Sequence, residues 1–332
     1  MDPVSRLKST LPTLAATLLV VACVIAVLAT GPLAIPPADL LSAAFGRGGP
    51  EAELVLTLRG PRLLAALTCG AALGGAGAGF QILFRNPLAA PDLLGVSSGA
   101  GLGAALALLL GAGTVLVQSA AFAGGLAIGG LALGCAALTR SGDGRLALIL
   151  CGVVAGALAS AGLGLVVIVA EPYSQLPAIT YWLLGSFTRA TLAEALFALG
   201  PICLGGAVLL WLGFRLDVLS LGDEQARSLG LPARRLRLTA LAAAALMTSA
   251  AVALAGVVGW IGLLAPHAAR LIVGERAGRL IPVSMAIGAL FALVIDRLAT
   301  AFGPAEIPVG LLSAAVGAPA FLFLFVTASR RS

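Results

Sequence analysis

Charge is scarce in this chain: Asp, Glu, Lys and Arg make up 10% of its 332 residues, against 60% hydrophobic ones. So few polar groups cannot cover a water-facing globule, which excludes an ordinary soluble domain. Histidine occurs once, so the paired histidines of an HExxH zinc hydrolase are missing. No GxxxxGK[ST] phosphate loop is present, and the chain cannot energise transport by itself through one. The five cysteines, Cys23, Cys69, Cys135, Cys151 and Cys203, fall in apolar runs without metal-ligand spacing and read as small hydrophobes. No metal or cofactor is expected on this chain.

What is abundant is apolar length. Mean hydropathy is +1.09, and a hydrocarbon core of roughly 30 Å takes about 20 apolar residues as a helix. Charge-free runs measured by that ruler predict an all-α polytopic membrane protein. Ten transmembrane helices are expected, at residues 11–31, 62–83, 94–111, 115–138, 146–170, 194–213, 236–256, 258–272, 280–300 and 308–327, in a single domain over 1–332. Glycines at 111–114 and 256–259 divide runs too long for one crossing. No Asp, Glu, Lys or Arg sits mid-helix in this assignment. Proton relays and ion-coupled carriers place such residues there, because burying charge is expensive. A passive or ion-coupled carrier is therefore the weaker functional reading.

With both termini cytoplasmic, 15 of the 20 Lys and Arg residues fall on the inner side, and five, Arg47, Arg59, Arg62, Arg189 and Arg297, on the outer. That asymmetry follows the positive-inside rule. It makes the net charge of +6 a topology signal rather than a sign of nucleic-acid binding. The basic start and apolar run at the N-terminus, without a small-residue cleavage site, read as a retained first helix.

Along the chain, residues 36–49 predict a short amphipathic segment on the outer surface. Arg59-Gly60-Pro61-Arg62 then opens the second span, with Pro61 suited to a first helical turn. Two arginines there oppose the helix dipole and call for a compensating acid. They serve either as lipid headgroup anchors or as a dock for an acidic partner. Glycines four apart, such as Gly70 and Gly74, Gly130 and Gly134, or Gly152 and Gly156, point to close helix packing. Asn86, Pro87 and Pro91 make the 85–99 stretch a rigid non-helical turn, readable as a tight connector or as a gate. The aromatics of YWLLGSF suit an interfacial belt, and the lone His267 reads as structural. A faint echo between 59–62 and 234–237, on opposite sides, suggests an inverted repeat.

The segment 221–237, LGDEQARSLGLPARRLR, concentrates charge as no other stretch does. Glu224, Gln225 and Arg227 alternate with apolar residues at helical spacing, and Gly230 followed by Pro232 is a stop signal. It reads as a small amphipathic docking element for a cytosolic partner.

RGPRLLAALTCGAALGGAGAGFQILFRNPLAAPDLLGVSSGAGLGA, YWLLGSF, LGDEQARSLGLPARRLR, GLLAPHAARLIVG and AEIPVGLLSAAVGAPAFLFLF, in that order, strongly resemble the FecCD family. These are the permeases of type II ABC importers for iron-siderophores, haem and vitamin B12, and the likeness spans about 36–325. The resemblance implies a ten-helix permease paired with a second permease subunit, a homodimer being favoured, in a bacterial inner membrane. A cytosolic ATPase dimer that holds ATP and Mg would lie below, and an extracytoplasmic substrate-binding protein above. It implies ATPase coupling within 220–237 by Leu221, Gly222, Asp223, Glu224, Gln225, Ala226, Arg227, Leu229, Gly230 and Leu231. It matches Arg59, Arg62 and Arg297 to binding-protein docking, and Asn86 and Leu88 to an inner gate, with Asp143 and Gly144 at the second gate element. The chain would be a transport subunit, not an enzyme.

Overall fold

The computed structural model describes residues 3–29, 36–44, 47, 49–139, 144–301 and 306–329. Among them no strand occurs. The helices are α1 (Pro3–Ala29), α2 (Pro37–Ala44), α3 (Pro50–Phe84), α4 (Val96–Leu109), α5 (Thr114–Leu138), α6 (Gly144–Val169) and α7 (Gln175–Leu183). They continue as α8 (Leu192–Trp211), α9 (Gly213–Leu221), α10 (Asp223–Ser228), α11 (Ala233–Ala255), α12 (Ile261–Val273), α13 (Ala277–Ala301) and α14 (Val309–Ser329). A 3-10 turn at Pro91–Leu94 joins α3 to α4.

Six helices, α3, α5, α6, α8, α11 and α13, are long and apolar enough to cross a membrane. Shorter apolar stretches at Thr13–Ala29, Val96–Leu109, Ile261–Val273 and Val309–Leu324 coincide with the other four predicted spans. The expected outer amphipathic segment is α2.

The start of α3 departs from expectation. It begins at Pro50, so Pro61 lies inside the helix rather than in its first turn. Pro50 at the first helical position and Glu51 and Glu53 in the first turn supply the start signals. At 35 residues, α3 is about 52 Å long at 1.5 Å per residue and projects well past a 30 Å hydrocarbon core.

Helices α3 and α11 form the centre, with α3 packed on α13, α11, α12 and α8, and α11 also on α5. A second group, α4 with α5, α6 and α7, lies beside it. The glycines make the central contacts possible. A Cβ on Gly70 would lie 2.2 Å from the Gly288 carbonyl oxygen, and one on Gly288 the same distance from that of Gly70. Gly77 meets Gly262 in the same way, at 2.0 Å. In lipid, where no hydrophobic force drives helices together, such backbone approach supplies dispersion contact. Gly130 and Gly134 differ: a Cβ at either meets nothing within 4 Å.

Two breaks in helical structure shape the interior. Arg85, in the left-handed region at φ 49, ends α3, and residues 86–95 turn back beside it. A Cβ on Gly262 would lie 3.0 Å from Pro91 Cδ and 3.3 Å from the Leu73 carbonyl oxygen. Leu73 is about 16 Å up α3 from Phe84 at 1.5 Å per residue. The second break, 256–260, begins at Gly256 with φ 73 and ends at Trp260, left-handed at φ 70. The short helices α4 and α12 start from these breaks.

Candidate functional site

The charged segment folds as two short helices hinged at Gly222. Its φ of 140 is open to glycine and strained for other residues. The end of α10 is a Schellman motif: Leu231 N–H donates to the Ala226 carbonyl and Gly230 N–H to that of Arg227, both at 2.9 Å, with Gly230 at φ 75. Local sequence thus explains the shape, as the Gly230 and Pro232 stop signal predicts.

The segment has two faces. Ala226 is fully buried and Gly222 is buried. Asp223 turns inward, where Arg237 donates to Oδ1 and Arg145 NH2 stands 3.8 Å from the same oxygen. Burial pushes the Asp223 carboxyl up, but Arg237, Arg145 and Arg227 outweigh it and hold it below the usual carboxylate range. Glu224, Gln225, Arg227, Leu229 and Gly230 are exposed, as is Leu221, and Leu231 is half-buried. Exposed leucines flanked by charges of both signs make a surface able to receive another protein.

Arg85 and Asp217, which sequence reading leaves without a role, wire this surface to the bundle. Arg85 NH2 donates to the Leu219 carbonyl of α9 at 3.4 Å. Asp217 Oδ1 accepts from the Ala277 N–H at the first residue of α13, at 2.7 Å. Asp217 precedes the charged island by only a few residues, but its partner is 60 residues away and nothing local marks it.

The turn after Arg85 is fixed by Asn86, whose Oδ1 accepts from Leu88 N–H at 2.9 Å while its carbonyl accepts from Ala89 N–H at 3.0 Å. Leu88 is 51% exposed. Gly144 opens α6 beside Arg237, where a Cβ would come 3.3 Å from NH1. Asp143 lies outside the described residues.

At the opposite end, the three arginines are deployed differently. Arg62 donates from Nε to Asp296 Oδ1 and from NH1 to Glu306 Oε1, both at 2.7 Å. Its side chain is 13% exposed. Arg297 NH2 reaches Asp296 Oδ2 at 3.4 Å, and Arg59 NH1 donates to the Leu28 carbonyl at 3.0 Å. The compensating acid expected near these arginines is thus Asp296, fully buried within α13. This corrects the assignment of spans without internal charge: Asp296 is helical and buried, and Arg62 makes that tolerable. Glu306 also accepts from Thr188 Oγ1. Burial raises the Glu306 carboxyl, but Thr188 and Arg62 hold it below its ordinary range.

Gly95-Val96-Ser97-Ser98-Gly99 has the spacing of a nucleophile elbow, a spelling that the sequence reading overlooks. Ser97 Oγ is engaged by Asp92 Oδ1, and the only histidine, His267, packs its ring against Phe321. A cleft of about 370 Å³ lined by Gln81, Arg85, Asn86, His267, Arg270 and Glu275 reaches α9 at Ser220.

Comparison with known proteins agrees with this architecture. A model of the FecCD transport family matches residues 18–327. The chain is similar to a molybdate import system permease protein of Haemophilus influenzae, 35% identical over 82% of this chain and 80% of that one. It is also similar to a hemin transport system permease protein of Yersinia pestis, 39% identical over 82% of each. A solved structure of an inward-facing conformation of a metal-chelate type ABC transporter superposes with a TM-score of 0.86 at 32% identity. That match covers 95% of this chain and 98% of the solved one.

Proposed function

Because the chain belongs to the FecCD transport family, as a permease subunit of an ABC importer, we propose that it moves a bulky iron complex, a ferric siderophore or haem, or a corrinoid, across a bacterial inner membrane. In this reading ten helices cross, both termini are cytoplasmic, and the end bearing α9 and α10 faces a cytosolic ATPase dimer that holds ATP and Mg. A second copy of the chain completes the path, and a binding protein delivers cargo at the Arg62 end.

The observation that carries this reading is the linkage of one exposed surface to the rest of the bundle. Leu221, Glu224, Arg227 and Leu229 are exposed, while Arg85, Asp217 and Asp223 tie their helices to α3, α13 and α11. Force applied to α10 reaches the Asn86–Leu88 turn through Arg85 and the far end through α13. Closure of the ATPases would tilt these helices as largely rigid bodies and open the turn bearing Asn86 and Leu88. Gly144 would move with Arg237. A largely apolar wall holds cargo weakly, which suits release. Arg59 and Arg297 offer positive charge to acidic groups of the binding protein, and Arg62 holds Arg297's neighbour Asp296 in place.

The test is reconstitution of the chain with its ATPase and binding protein in proteoliposomes. Uptake of a ferric chelate that requires ATP and survives collapse of the proton gradient is expected. Uptake that follows the proton gradient without ATP would favour an ion-coupled carrier.

A further inference from the structure

Asp92 is the second residue of the 3-10 turn in the segment that turns back beside α3, and it is exposed. Among the described residues it forms no ion pair. Ser97 Oγ donates to its Oδ1. Two yardsticks give its depth. Pro91 meets Gly262 at the level of Leu73, about 16 Å along α3 from Phe84 at 1.5 Å per residue. A Cβ on Gly152 would lie 1.9 Å from the Leu93 carbonyl, and Gly152 is about 12 Å along α6 from Gly144. Both place Asp92 about 12–16 Å in from the ends of α3 and α6 that adjoin the charged segment, a distance comparable with half of a roughly 30 Å hydrocarbon core.

An exposed carboxylate at that depth is costly against lipid tails, and irregular backbone is tolerated there only inside protein or beside water. The polar strip continues across the helices: Ser98 and Ser160 lie 3.3 Å apart, Oγ to Oγ, and Ser160 of α6 is exposed. Leu88 lies on the same segment, nearer the coupling helices. This surface therefore borders the aqueous path.

We propose that Asp92 is the charge filter of the path: a fixed negative charge at mid-membrane that disfavours anionic cargo and favours neutral or cationic complexes. The proposal rests on the permease reading above and narrows its substrate class. A negative charge in a narrow, low-dielectric passage repels like charge far more than it would in bulk water. Oxyanions and anionic chelates thus fit this path less well than neutral ferric complexes or corrinoids.

The filter is tested in the assembled transporter with its five native cysteines replaced and a reporter thiol introduced as Ser160→Cys. Modification rates are measured with a trimethylammonium-ethyl and a sulfonatoethyl methanethiosulfonate. Both reagents are expected to react, the cationic one faster. Asp92→Asn is expected to lower the ratio of cationic to anionic rates by about tenfold, and Asp92→Glu to preserve it. Should Asp92→Asn fail to assemble, Asp92→Ser makes the same comparison. An unchanged ratio, or no reaction with either reagent, overturns the proposal, the latter because the strip then faces lipid. ATP-driven uptake by the unmodified transporter is scored separately: its failure beside a normal reagent ratio counts against the permease reading and not against the filter.

Discussion

Arg62 and Asp296, 234 residues apart in sequence, meet at 2.7 Å, Nε to Oδ1, with the carboxylate side chain wholly buried. The pair fastens α3 to α13 at the end opposite α9 and α10.

Removing one partner leaves the other with a single remaining counter-ion, Glu306 for Arg62 or the longer 3.4 Å contact of Arg297 for the buried Asp296. Asp296→Ala or Arg62→Ala is expected to cost about 3–5 kcal/mol, read as lost thermal stability in detergent. The double variant Arg62→Leu with Asp296→Leu is expected to recover much of that loss. Equal damage in single and double variants would show that the pair matters through something besides charge compensation.

The arginines near that pair are expected to separate by role. Charge reversal at Arg59 and Arg297 should weaken docking of the binding protein, with the effect shrinking as salt is raised; at Arg297 it should also cost some stability, because a carboxylate would then face the buried Asp296. Reversal at Arg62 should instead damage the fold. Surface-plasmon titration across salt concentrations, beside melting curves, checks both halves, and undiminished docking in Arg59→Glu with Arg297→Glu would count against the interface.

Glu224→Ala with Arg227→Ala removes exposed charge only, so the melting temperature is expected to stay within about 1–2 °C, as for surface substitutions. ATP-driven uptake should fall at least tenfold while the ATPase keeps its basal turnover. Normal uptake in this variant would sink the coupling assignment.

Asp223 has the opposite profile. Its folded pKa is depressed, so its ties to Arg237 and Arg145 contribute stability above the unfolded carboxylate value, near pH 4, and lose it as pH falls through the lower folded value. Asp223→Asn is expected to cost about 1 kcal/mol at pH 7, discounted for partial exposure, and to flatten the acid limb of the stability curve. Melting curves from pH 7 to pH 3 on both proteins test this.

Glycine substitutions discriminate packing from mere composition. Gly77→Ala drives a methyl to 2.0 Å from the Gly262 carbonyl, backbone against backbone, whereas Gly130→Ala meets nothing within 4 Å. The first is expected to lower folded yield severely, as overpacking does, and the second to leave it unchanged, by size-exclusion recovery in detergent.

Legibility in the sequence followed the range of each interaction. Membrane class and the positions of the long apolar helices follow from composition and charge-free runs, because lipid permits few backbone arrangements. The α10 element and its end are equally legible, since Gly230 and Pro232 act within a turn of where they stand. Start signals sometimes mislead: Pro61 has the look of a first-turn residue, yet Gly49, Pro50 and the acids behind it begin α3 earlier.

What composition and local pattern determined by themselves is that this chain is helical, lies in a membrane, and presents one charged surface at one end. Only the tertiary structure decided which charges are free to act. Arg62 faces a carboxylate and Asp223 a second guanidinium brought in from distant helices, while Glu224, Arg227 and Asp92 remain exposed. The physical reason is that a charge's role depends on its partner and its dielectric surroundings, and both are set by residues far away along the chain.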